Sequence, residues 1–213
     1  MLARKARLVK HNSRLSQGSL LDIGTGTGYF PHFMQERGWH VSAIEKSPQA
    51  RQFAKEHFEL DVAAPEALNE FADKSFDVIT LWHVMEHLEH LNGTWETLKR
   101  ILKDQGILII AVPNPTSFDA EKYKEMWGAY DVPRHLWHFS PSVMQQFGAK
   151  HDFILCERHP MPFDAFYVSM LSEKYRKSAF PFIKGLITGA EAWIVSLAKK
   201  DRSSSMIYVF RKK

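Results

Sequence analysis

Cysteine is nearly absent from this sequence: Cys156 is the single one among 213 residues, which excludes an internal disulfide bond. Because Cys156 lies in the apolar run Phe-Ile-Leu-Cys, the sequence predicts a buried thiol that packs as a small apolar side chain. No apolar run approaches the roughly 20 residues of a membrane-spanning helix, and no apolar signal core follows the basic start. These absences predict a cytoplasmic protein without a membrane span.

An excess of one charge sign is also lacking. The 28 Lys and Arg side chains are nearly balanced by 24 Asp and Glu side chains, which leaves a net charge of +4. Much of this excess lies in MLARKARLVK at the start and RKK at the end, which are predicted to be solvated tails. Nucleic-acid binding is therefore not expected. The sequence shows no repeats and no low-complexity linker, and it does not determine the oligomeric state.

Strands and helices are predicted to alternate along the first part of the chain. Short apolar runs predict strands at Ser19–Ile23, Trp39–Glu45, near Phe58–Val62, at Phe76–Trp82 and at Ile107–Val112. Helical patterns fill the intervals, one of them beginning with Ser47 as N-cap before Pro48. This alternation predicts an α/β fold with a doubly wound, mostly parallel sheet.

The pattern changes after Pro113. A loop rich in aromatic residues and histidine leads to Ser140-Pro141, where another helix is predicted to begin. FILCER predicts a sixth strand, residues 163–200 a helical insertion, and SSMIYVFRK a last strand. With 45% hydrophobic residues the chain can bury one sizeable core, and we expect a single domain over residues 1–213.

The strongest local signal is LDIGTGTGYF, in which Gly24, Gly26 and Gly28 follow the first strand and precede a helix. Glycine allows close approach of a ligand to the N–H groups of a helix N-terminus. Dinucleotide-binding loops need G-x-G-x-x-G, and Tyr29 occupies the position of their third glycine. Asp22 would repel a pyrophosphate, whereas it suits a ligand that carries an ammonium and a sulfonium group.

Glu45 ends the second strand, where a carboxylate can accept both hydroxyls of a ribose. Glu45 and the glycine loop together make the chain resemble the class I methyltransferases that use S-adenosylmethionine. LDIGTGTGYF is similar to their first motif, FDVITLWHVMEHLEHL to the segment around their fourth strand, and LKRILKDQGILIIAVPNP to their fifth-strand motif. DVPRHLWHFSP is similar to a bacterial subgroup related to the ubiquinone-biosynthesis O-methyltransferases. The resemblance extends from Leu20 to Lys150.

The resemblance implies a Rossmann-like sheet of seven strands in the order 3-2-1-4-5-7-6, with the last strand antiparallel. Residues 19–112 would form the donor-binding half and residues 113–213 the acceptor-side half. S-adenosylmethionine would be the methyl donor and S-adenosylhomocysteine the product, and no metal is expected. The residues implied to contact the donor are Asp22, Gly24, Gly26, Gly28, Glu45, Lys46, Ala64, Trp82 and His83.

Two interpretations stay open for AYDVPRHLWHF, which leaves the sheet at the edge where such folds bind ligands. In the first, Arg134 and His135 recognise the acceptor and His135 serves as general base, a role for which His83 is the other candidate. In the second, Arg134 pairs with an acid and Trp137 packs in the core. Phe163 and Tyr167 would line the acceptor pocket as a lid, or belong to the core.

The stretch WHVMEHLEH contains H-x-x-E-H, the pattern of the inverted zinc peptidases. Those enzymes carry the motif within a helix, whereas His83 follows directly on a predicted strand, so zinc is not expected. We predict instead that His83 faces the donor. Glu86 and His87 are predicted to stabilise the start of the next helix, and His90 to be exposed.

These patterns predict an S-adenosylmethionine-dependent methyltransferase that acts on an unidentified small-molecule acceptor. Methyl transfer from a sulfonium is an in-line displacement, for which the protein supplies chiefly alignment. Two alternatives remain: a donor-binding module that has lost catalysis, and a nicotinamide-dependent oxidoreductase. Tyr29 and Asp22 argue against the oxidoreductase, because Tyr29 replaces the third glycine of a dinucleotide-binding loop and Asp22 would repel the pyrophosphate.

Overall fold

The computed structural model describes residues 1–213. Its α-helices are α1 (Leu2–Ser13), α2 (Tyr29–Gln35), α3 (Pro48–Phe58), α4 (Leu91–Ile101), α5 (Phe118–Tyr123), α6 (Pro141–Lys150), α7 (Asp164–Tyr175) and α8 (Pro181–Ala198). Its strands are β1 (Ser19–Ile23), β2 (His40–Ile44), β3 (Val62–Ala63), β4 (Phe76–Trp82), β5 (Leu102–Pro113), β6 (Phe153–Pro160) and β7 (Ser205–Lys212). Short 3₁₀ turns lie at Pro65–Asn69, Met85–His87, Lys124–Met126, Gly128–Tyr130 and Lys200–Arg202.

The seven strands form one sheet in the order β3-β2-β1-β4-β5-β7-β6. Strands β1 to β5 run parallel, and β7 is antiparallel to both of its neighbours, β5 and β6. This confirms the predicted Rossmann-like fold and strand order. Since the strand order reverses between β1 and β4, the carboxyl ends of these two strands flank the crevice in which such sheets bind ligands.

Both faces of the sheet are covered, as the apolar character of its central strands predicts. Along β5, Leu108 and Ile110 face one apolar cluster, which also contains Trp95 of α4. Ile107 and Ile109 alternate with them and face a second cluster, built with side chains from α1 and α2. All four β5 side chains are fully buried, so this strand is the centre of the molecule.

The basic start of the chain is helix α1, and the prediction of a solvated tail was wrong. Its less polar residues Leu2, Ala6 and Val9 recur at helical spacing and pack against the sheet, with Val9 fully buried. Arg4 also donates a hydrogen bond to the carbonyl oxygen of Pro160 at 2.8 Å. At the other end, Arg211 belongs to β7 and likewise hydrogen-bonds to backbone oxygens. In α1 the basic side chains lie on either side of an apolar stripe, so the prediction from charge alone was wrong.

Cys156 is exposed, and the prediction of a buried thiol was wrong. It lies on β6, the edge strand, at an irregularity where the pairing with β7 passes from Leu155 directly to Glu157. The extra residue at this bulge has no partner in the register and turns away from the core. A similar irregularity makes β5 longer than the predicted strand Ile107–Val112, because β5 begins at Leu102 and pairs again with β4 only from Ile107.

The predicted helical insertion of residues 163–200 is the pair of packed helices α7 and α8. Their backbones approach closely at two glycines of α8. A Cβ atom on Gly185 would lie 2.6 Å from the Cα of Met170, and one on Gly189 would lie 2.7 Å from the Cα of Phe166. No helix of the chain combines the length and the apolar character that crossing a bilayer requires.

Candidate functional site

The glycine loop between β1 and α2 is held by backbone hydrogen bonds at the end of β2. The N–H groups of Gly24 and Thr25 both donate to the carbonyl oxygen of Ile44, at 2.7 and 3.0 Å. Gly24, Gly26 and Gly28 have φ angles of 67°, 60° and 87°, in the left-handed region that residues with a Cβ atom adopt only at a cost. The backbone course of the loop therefore requires all three glycines.

The three glycines face different surroundings. A Cβ atom on Gly24 would lie 2.3 Å from Cγ2 of Val84, and one on Gly28 would lie 2.9 Å from Cβ of Ala54. A Cβ atom on Gly26 would meet no atom within 4 Å. Gly24 and Gly28 therefore allow the loop to pack against the protein, and Gly26 leaves space in front of the loop for a ligand.

Glu45 lies half-buried at the end of β2, beside this space. One of its carboxylate oxygens accepts from the N–H of Gly26 at 2.8 Å, and the other from the N–H of Ser47 at 2.9 Å. Because each carboxylate oxygen has two lone pairs, both can still accept a hydroxyl hydrogen. Two backbone donors thus orient the carboxylate that the sequence assigned to a ribose.

Asp22 is buried at the end of β1, 2% exposed, and accepts a hydrogen bond from the hydroxyl of Thr80 at 2.5 Å. Burial raises the pKa of Asp22 to about 6, although the hydrogen bond from Thr80 and the nearby charge of Lys5 lower it. At neutral pH this carboxylate is an incompletely paired negative charge beneath the glycine loop. It favours a cation above it.

Trp82 and Lys5 form a second part of this crevice, and sequence reasoning missed Lys5. The ammonium of Lys5 lies 4.3 Å from the ring centroid of Trp82 and 5.4 Å from that of Phe30, which are cation–π distances. Burial lowers the pKa of Lys5, whereas the charges of Asp22 and Asp164 raise it. The helical spacing of apolar residues in α1 was the signal that could have placed Lys5 against the sheet.

Lys46 and Ala64 follow β2 and β3 at the outer side of the crevice. The ammonium of Lys46 is turned toward Glu89, 3.3 Å from its carboxylate, and both side chains are largely exposed. The N–H of Glu45 donates to the carbonyl oxygen of Ala63 at 3.0 Å, which brings Ala64 next to Glu45. The predicted donor residues of the first three strands therefore converge at one edge of the sheet.

His83 directly follows β4 with a left-handed φ angle of 58°. Its Nδ1 lies 3.4 Å from the carboxylate of Glu86, and its Nε2 lies 3.2 Å from the carboxylate of Asp164 at the start of α7. Burial lowers the pKa of His83, but the two carboxylates outweigh this effect and raise the pKa to about 9. At neutral pH His83 is therefore an imidazolium ion between two acids, with no lone pair free to accept a proton.

The loop of residues 131–138, here called the histidine loop, lies against the 3₁₀ turn Met85–His87. The carbonyl oxygen of Glu86 accepts the N–H groups of Leu136 and Trp137, at 2.8 and 3.3 Å. In addition, the indole N–H of Trp137 donates to the carbonyl oxygen of Leu88 at 2.8 Å. These bonds join the acceptor-side half to the segment after β4.

The structural interpretation of the histidine loop is met in part. Arg134 pairs with Asp131 at 2.7 Å, as the structural interpretation expects. Trp137 is 42% exposed, so its expected place in the core was wrong; its indole is held at the surface by one hydrogen bond. His135 is largely buried and lies near His87, with 4.6 Å between ring centroids. His90 is exposed, as predicted.

Phe163 and Tyr167, at the start of α7, are 67% and 68% exposed, so neither belongs to the core. Phe163 borders a cavity of about 530 Å³ that also contacts Trp82, Met161, Asp164 and side chains of α1. Tyr167 is close enough to Arg134 to influence the pKa of its guanidinium. Phe163 thus lies beside the carboxyl end of β4, and Tyr167 lies on the side of the histidine loop.

Comparison with known proteins identifies relatives of this chain. A family model described as a methyltransferase domain matches residues 1–156. An uncharacterized methyltransferase of Staphylococcus carnosus is 33% identical over 112 residues, which are 52% of this chain and 53% of the relative. A ubiquinone biosynthesis O-methyltransferase of Pelagibacter ubique is 34% identical over 104 residues, 46% of this chain and 42% of the relative. The chain spans about half the length of the curated relatives it matches.

Solved structures share the fold at low sequence identity. A putative sarcosine dimethylglycine methyltransferase from Galdieria sulphuraria superposes with a TM-score of 0.67 and 16% identity, covering 100% of this chain and 84% of that one. The YcgJ protein from Bacillus subtilis superposes with a TM-score of 0.64 and 16% identity, covering 100% of this chain and 98% of that one. These likenesses extend the agreement in fold over the acceptor-side half.

Proposed function

Because the chain belongs to the family of class I S-adenosylmethionine-dependent methyltransferases, we propose that it transfers a methyl group from S-adenosylmethionine to a small-molecule acceptor. The observation that carries this proposal is the pairing of open space at Gly26 with the Glu45 carboxylate beside it. A ribose in this space would donate its hydroxyls to Glu45, while the glycine loop passes along the methionine moiety.

The charge around the loop supports a cationic donor. The buried carboxylate of Asp22 lies beneath the loop, and a carboxylate attracts ammonium and sulfonium groups. The ring of Trp82 at the end of β4 already has the Lys5 ammonium over it, so Asp22 is the group that favours the cationic donor. A nicotinamide dinucleotide would instead bring a pyrophosphate close to Asp22, which is the less favourable arrangement. Lys46 and Ala64 would border the adenine through their backbone.

The acceptor is proposed to enter between the histidine loop and α7. Arg134 and Tyr167 border this entrance, and Phe163 borders the adjoining apolar cavity. An oxygen atom is the proposed methyl acceptor, since relatives of this chain are named O-methyltransferases. The identity of the acceptor molecule does not follow from the fold, which serves many acceptors.

In the proposed reaction an acceptor oxygen attacks the methyl carbon in line with the sulfonium. The new O–C bond forms while the C–S bond breaks, and its electron pair goes to sulfur, which gives S-adenosylhomocysteine. The protein contributes alignment of the two molecules and removal of the hydroxyl proton. Of the two predicted bases, His135 is favoured over His83. The Nδ1–H of His135 donates to the carbonyl oxygen of Ala129 at 2.8 Å, which leaves its Nε2 free.

Calorimetric titration tests the donor assignment. S-adenosylhomocysteine should bind the purified protein with a micromolar dissociation constant, and NAD should not bind. Absence of S-adenosylhomocysteine binding would refute the proposal, and tight NAD binding would favour the oxidoreductase. Binding of the donor without turnover over a panel of hydroxylated acceptors would favour the lapsed module.

The Glu45→Gln variant tests the ribose contact more directly. It removes the negative charge and one acceptor oxygen, so affinity for S-adenosylhomocysteine should fall roughly tenfold to a hundredfold, the range of one charge-assisted hydrogen bond. Glu56→Gln is the matched control, because Glu56 is exposed on α3. Equal affinities of the two variants would remove Glu45 from the donor site.

A further inference from the structure

Helix α8 carries its large apolar side chains on the face that points away from the protein. Five of them are 56–63% exposed: Phe182, Ile183, Ile187, Ile194 and Leu197. Helical periodicity places these five, with the less exposed Leu186 and Trp193, within an arc of about 140°, here called the apolar face of α8. A surface helix normally turns such a stripe toward the core, so α8 is inverted.

The opposite face of α8 makes the contact with α7. It is built from small residues that are all buried: Gly185, Thr188, Gly189, Ala192 and Ser196. Because these side chains are small, the backbones of the two helices approach closely at Gly185 and Gly189. The packing of α8 on α7 therefore does not account for the large apolar side chains on the other face.

The apolar face of α8 extends to the start of α7. The rings of Trp193 and Phe163 stack at 24° with 6.5 Å between their centroids, and Phe163 is exposed. Phe163 also borders the cavity at the end of β4, so the apolar face begins beside that cavity. Contiguous exposed apolar surface of this kind marks a contact with a partner or a membrane, whereas single exposed apolar side chains do not.

The positive charge of the chain lies around this face. Residues 174–200 contain six Lys or Arg and one Glu, a net charge of +5, whereas all other residues contain 22 Lys or Arg and 23 Asp or Glu, a net charge of −1. The six cations are all exposed: Lys174, Arg176, Lys177, Lys184, Lys199 and Lys200. Five of them lie beyond the two ends of α8, and Lys184 lies in its first turns.

None of these six cations takes part in an ion pair. The one acid of the segment, Glu191, pairs instead with Lys122 of α5. Exposed cations without neighbouring acids produce a positive potential over the surface between them. The face is therefore both apolar and positive, two properties to which a bilayer with anionic headgroups is complementary.

The same charges argue against a second copy of this chain as the occupant. A twofold contact through α8 would bring the two positive segments together, and each copy offers only Glu191, which is already paired. Like charges placed opposite each other across an interface are unfavourable. Anionic lipid headgroups instead neutralise the six cations.

We propose that the apolar face of α8 docks on a membrane surface that contains anionic lipids. With α7 packed on its other side, α8 would lie parallel to the surface, with its Phe, Trp, Ile and Leu side chains at the boundary of headgroups and acyl chains. The Lys and Arg side chains at its ends would contact the headgroups. Both helices follow the matched residues 1–156, and the inference does not depend on methyl transfer.

Co-sedimentation with vesicles tests the proposal on the full chain. We expect the protein to bind vesicles of phosphatidylcholine mixed with phosphatidylglycerol, and to bind vesicles of phosphatidylcholine alone at least about tenfold more weakly. Binding to the anionic vesicles should weaken as the salt concentration rises, because salt screens the attraction of the headgroups. No binding to the anionic vesicles at low salt would overturn the proposal.

Substitution of two apolar side chains tests whether α8 makes the contact. Ile187→Ser with Ile194→Ser should weaken binding to the anionic vesicles by more than about tenfold. Val143→Ser with Ile154→Ser is the matched control, because these two apolar side chains are exposed on α6 and β6. Circular dichroism should show that both proteins fold. An unchanged affinity in the α8 variant, or an equal loss in the control, would refute docking through α8.

Reversal of two charges tests the electrostatic part independently. Lys177→Glu with Lys184→Glu should weaken binding to the anionic vesicles by more than about tenfold. Lys10→Glu with Lys55→Glu changes the net charge equally at exposed positions of α1 and α3, and should weaken binding by less than about threefold. Equal losses in the two variants would show that net charge, not the surroundings of α8, causes binding, and would contradict the proposal.

Sedimentation velocity without lipid identifies the competing occupant. A dimer that Ile187→Ser with Ile194→Ser dissociates, in a protein that binds no vesicles, would assign the apolar face of α8 to a second copy and overturn the proposal. Vesicle binding that this double substitution removes, without a change in sedimentation, supports docking on lipid.

Discussion

Residues 19–112 and residues 113–213, the proposed donor-binding half and acceptor-side half, orient their polar groups by different means. In residues 19–112 the backbone does most of this: three glycines with left-handed φ angles shape the loop, and backbone N–H groups orient Glu45. In residues 113–213 polar side chains anchor the elements. Buried Asp119 accepts hydrogen bonds from the indole of Trp127 and the hydroxyl of Ser204, each at 2.7 Å.

This difference explains why residues 19–112 carry a short recognisable motif, whereas the anchors in residues 113–213 have no local sequence pattern. A loop that requires left-handed backbone at fixed positions selects glycine there, so its geometry is visible as a short motif. An anchor such as Asp119 with Ser204 joins residues far apart in the chain and needs no particular local pattern. The segment of residues 83–87 contacts both halves: Val84 faces Gly24, and His87 faces the carbonyl oxygen of Arg134.

The largest expected effect comes from replacing a glycine of the loop between β1 and α2. Gly24→Ala places a Cβ atom 2.3 Å from Val84 at a φ angle of 67°, and should lower the free energy of unfolding by about 3 kcal/mol. Gly26→Ala has the same conformational strain but meets no atom, so about 1 kcal/mol is expected. Urea unfolding measures both, and equal losses would contradict the distinction between the two glycines.

The next effect concerns the side-chain anchor of the acceptor-side half. Asp119→Ala leaves two buried donors unpaired and should lower the free energy of unfolding by about 2 kcal/mol. Asp119→Asn is the control, because it retains an oxygen that can accept. Hydrogen exchange should increase in α5 and α7 while affinity for S-adenosylhomocysteine stays within about threefold, since the donor contacts belong to the other half. A comparable loss of donor affinity would show that the halves are coupled.

A pH-dependent effect is expected at Asp22, whose replacement by Asn should change the free energy of unfolding by about 1 kcal/mol. Its pKa of about 6 in the folded chain exceeds the value of 3.8 for an exposed carboxyl. Both states are protonated below pH 3.8, so the group then contributes nothing. As pH rises toward 6 the unfolded chain releases the proton first, so Asp22 lowers stability, by up to roughly 3 kcal/mol above pH 6.

Asp22→Asn should therefore unfold at higher urea concentration than the unmodified chain at pH 8, by about 1 kcal/mol after the loss of hydrogen bonding. At pH 4 the two proteins should differ little in this direction. A stabilisation that is equal at both pH values would argue that the raised pKa does not belong to Asp22.

The smallest expected effect is at Lys46, which is exposed at the outer side of the crevice. Its ion pair with Glu89 is largely exposed, so Lys46→Ala should change the free energy of unfolding by less than about 0.5 kcal/mol. Donor affinity should change less than twofold, because the ammonium points to Glu89 rather than into the crevice. A larger loss would place the Lys46 side chain against the adenine.

Much of the fold was predictable from local sequence. The apolar runs of four of the five parallel strands and the caps Ser47 and Ser140 have local causes, and the structure agrees with them. The third strand was misplaced: it is Val62–Ala63 rather than Phe58–Val62, because α3 extends to Phe58. Two predictions were wrong for non-local reasons: α1 is stabilised by an apolar stripe that only the sheet completes, and Cys156 is turned outward by a bulge in the pairing with β7. In both cases the conformation depends on a distant part of the chain, which the sequence of the segment does not specify.

The sequence alone determined the α/β alternation, the glycine loop and the acid at the end of β2, because each depends on backbone conformation over a few neighbouring residues. Tertiary structure decided which distant groups meet. It placed Lys5 over Trp82, set His83 between Glu86 and Asp164, and brought His135 to Glu86 and His87. The H-x-x-E-H pattern contains Glu86 and His87 but not His135, since distances between separate segments are set by packing rather than by spacing along the chain.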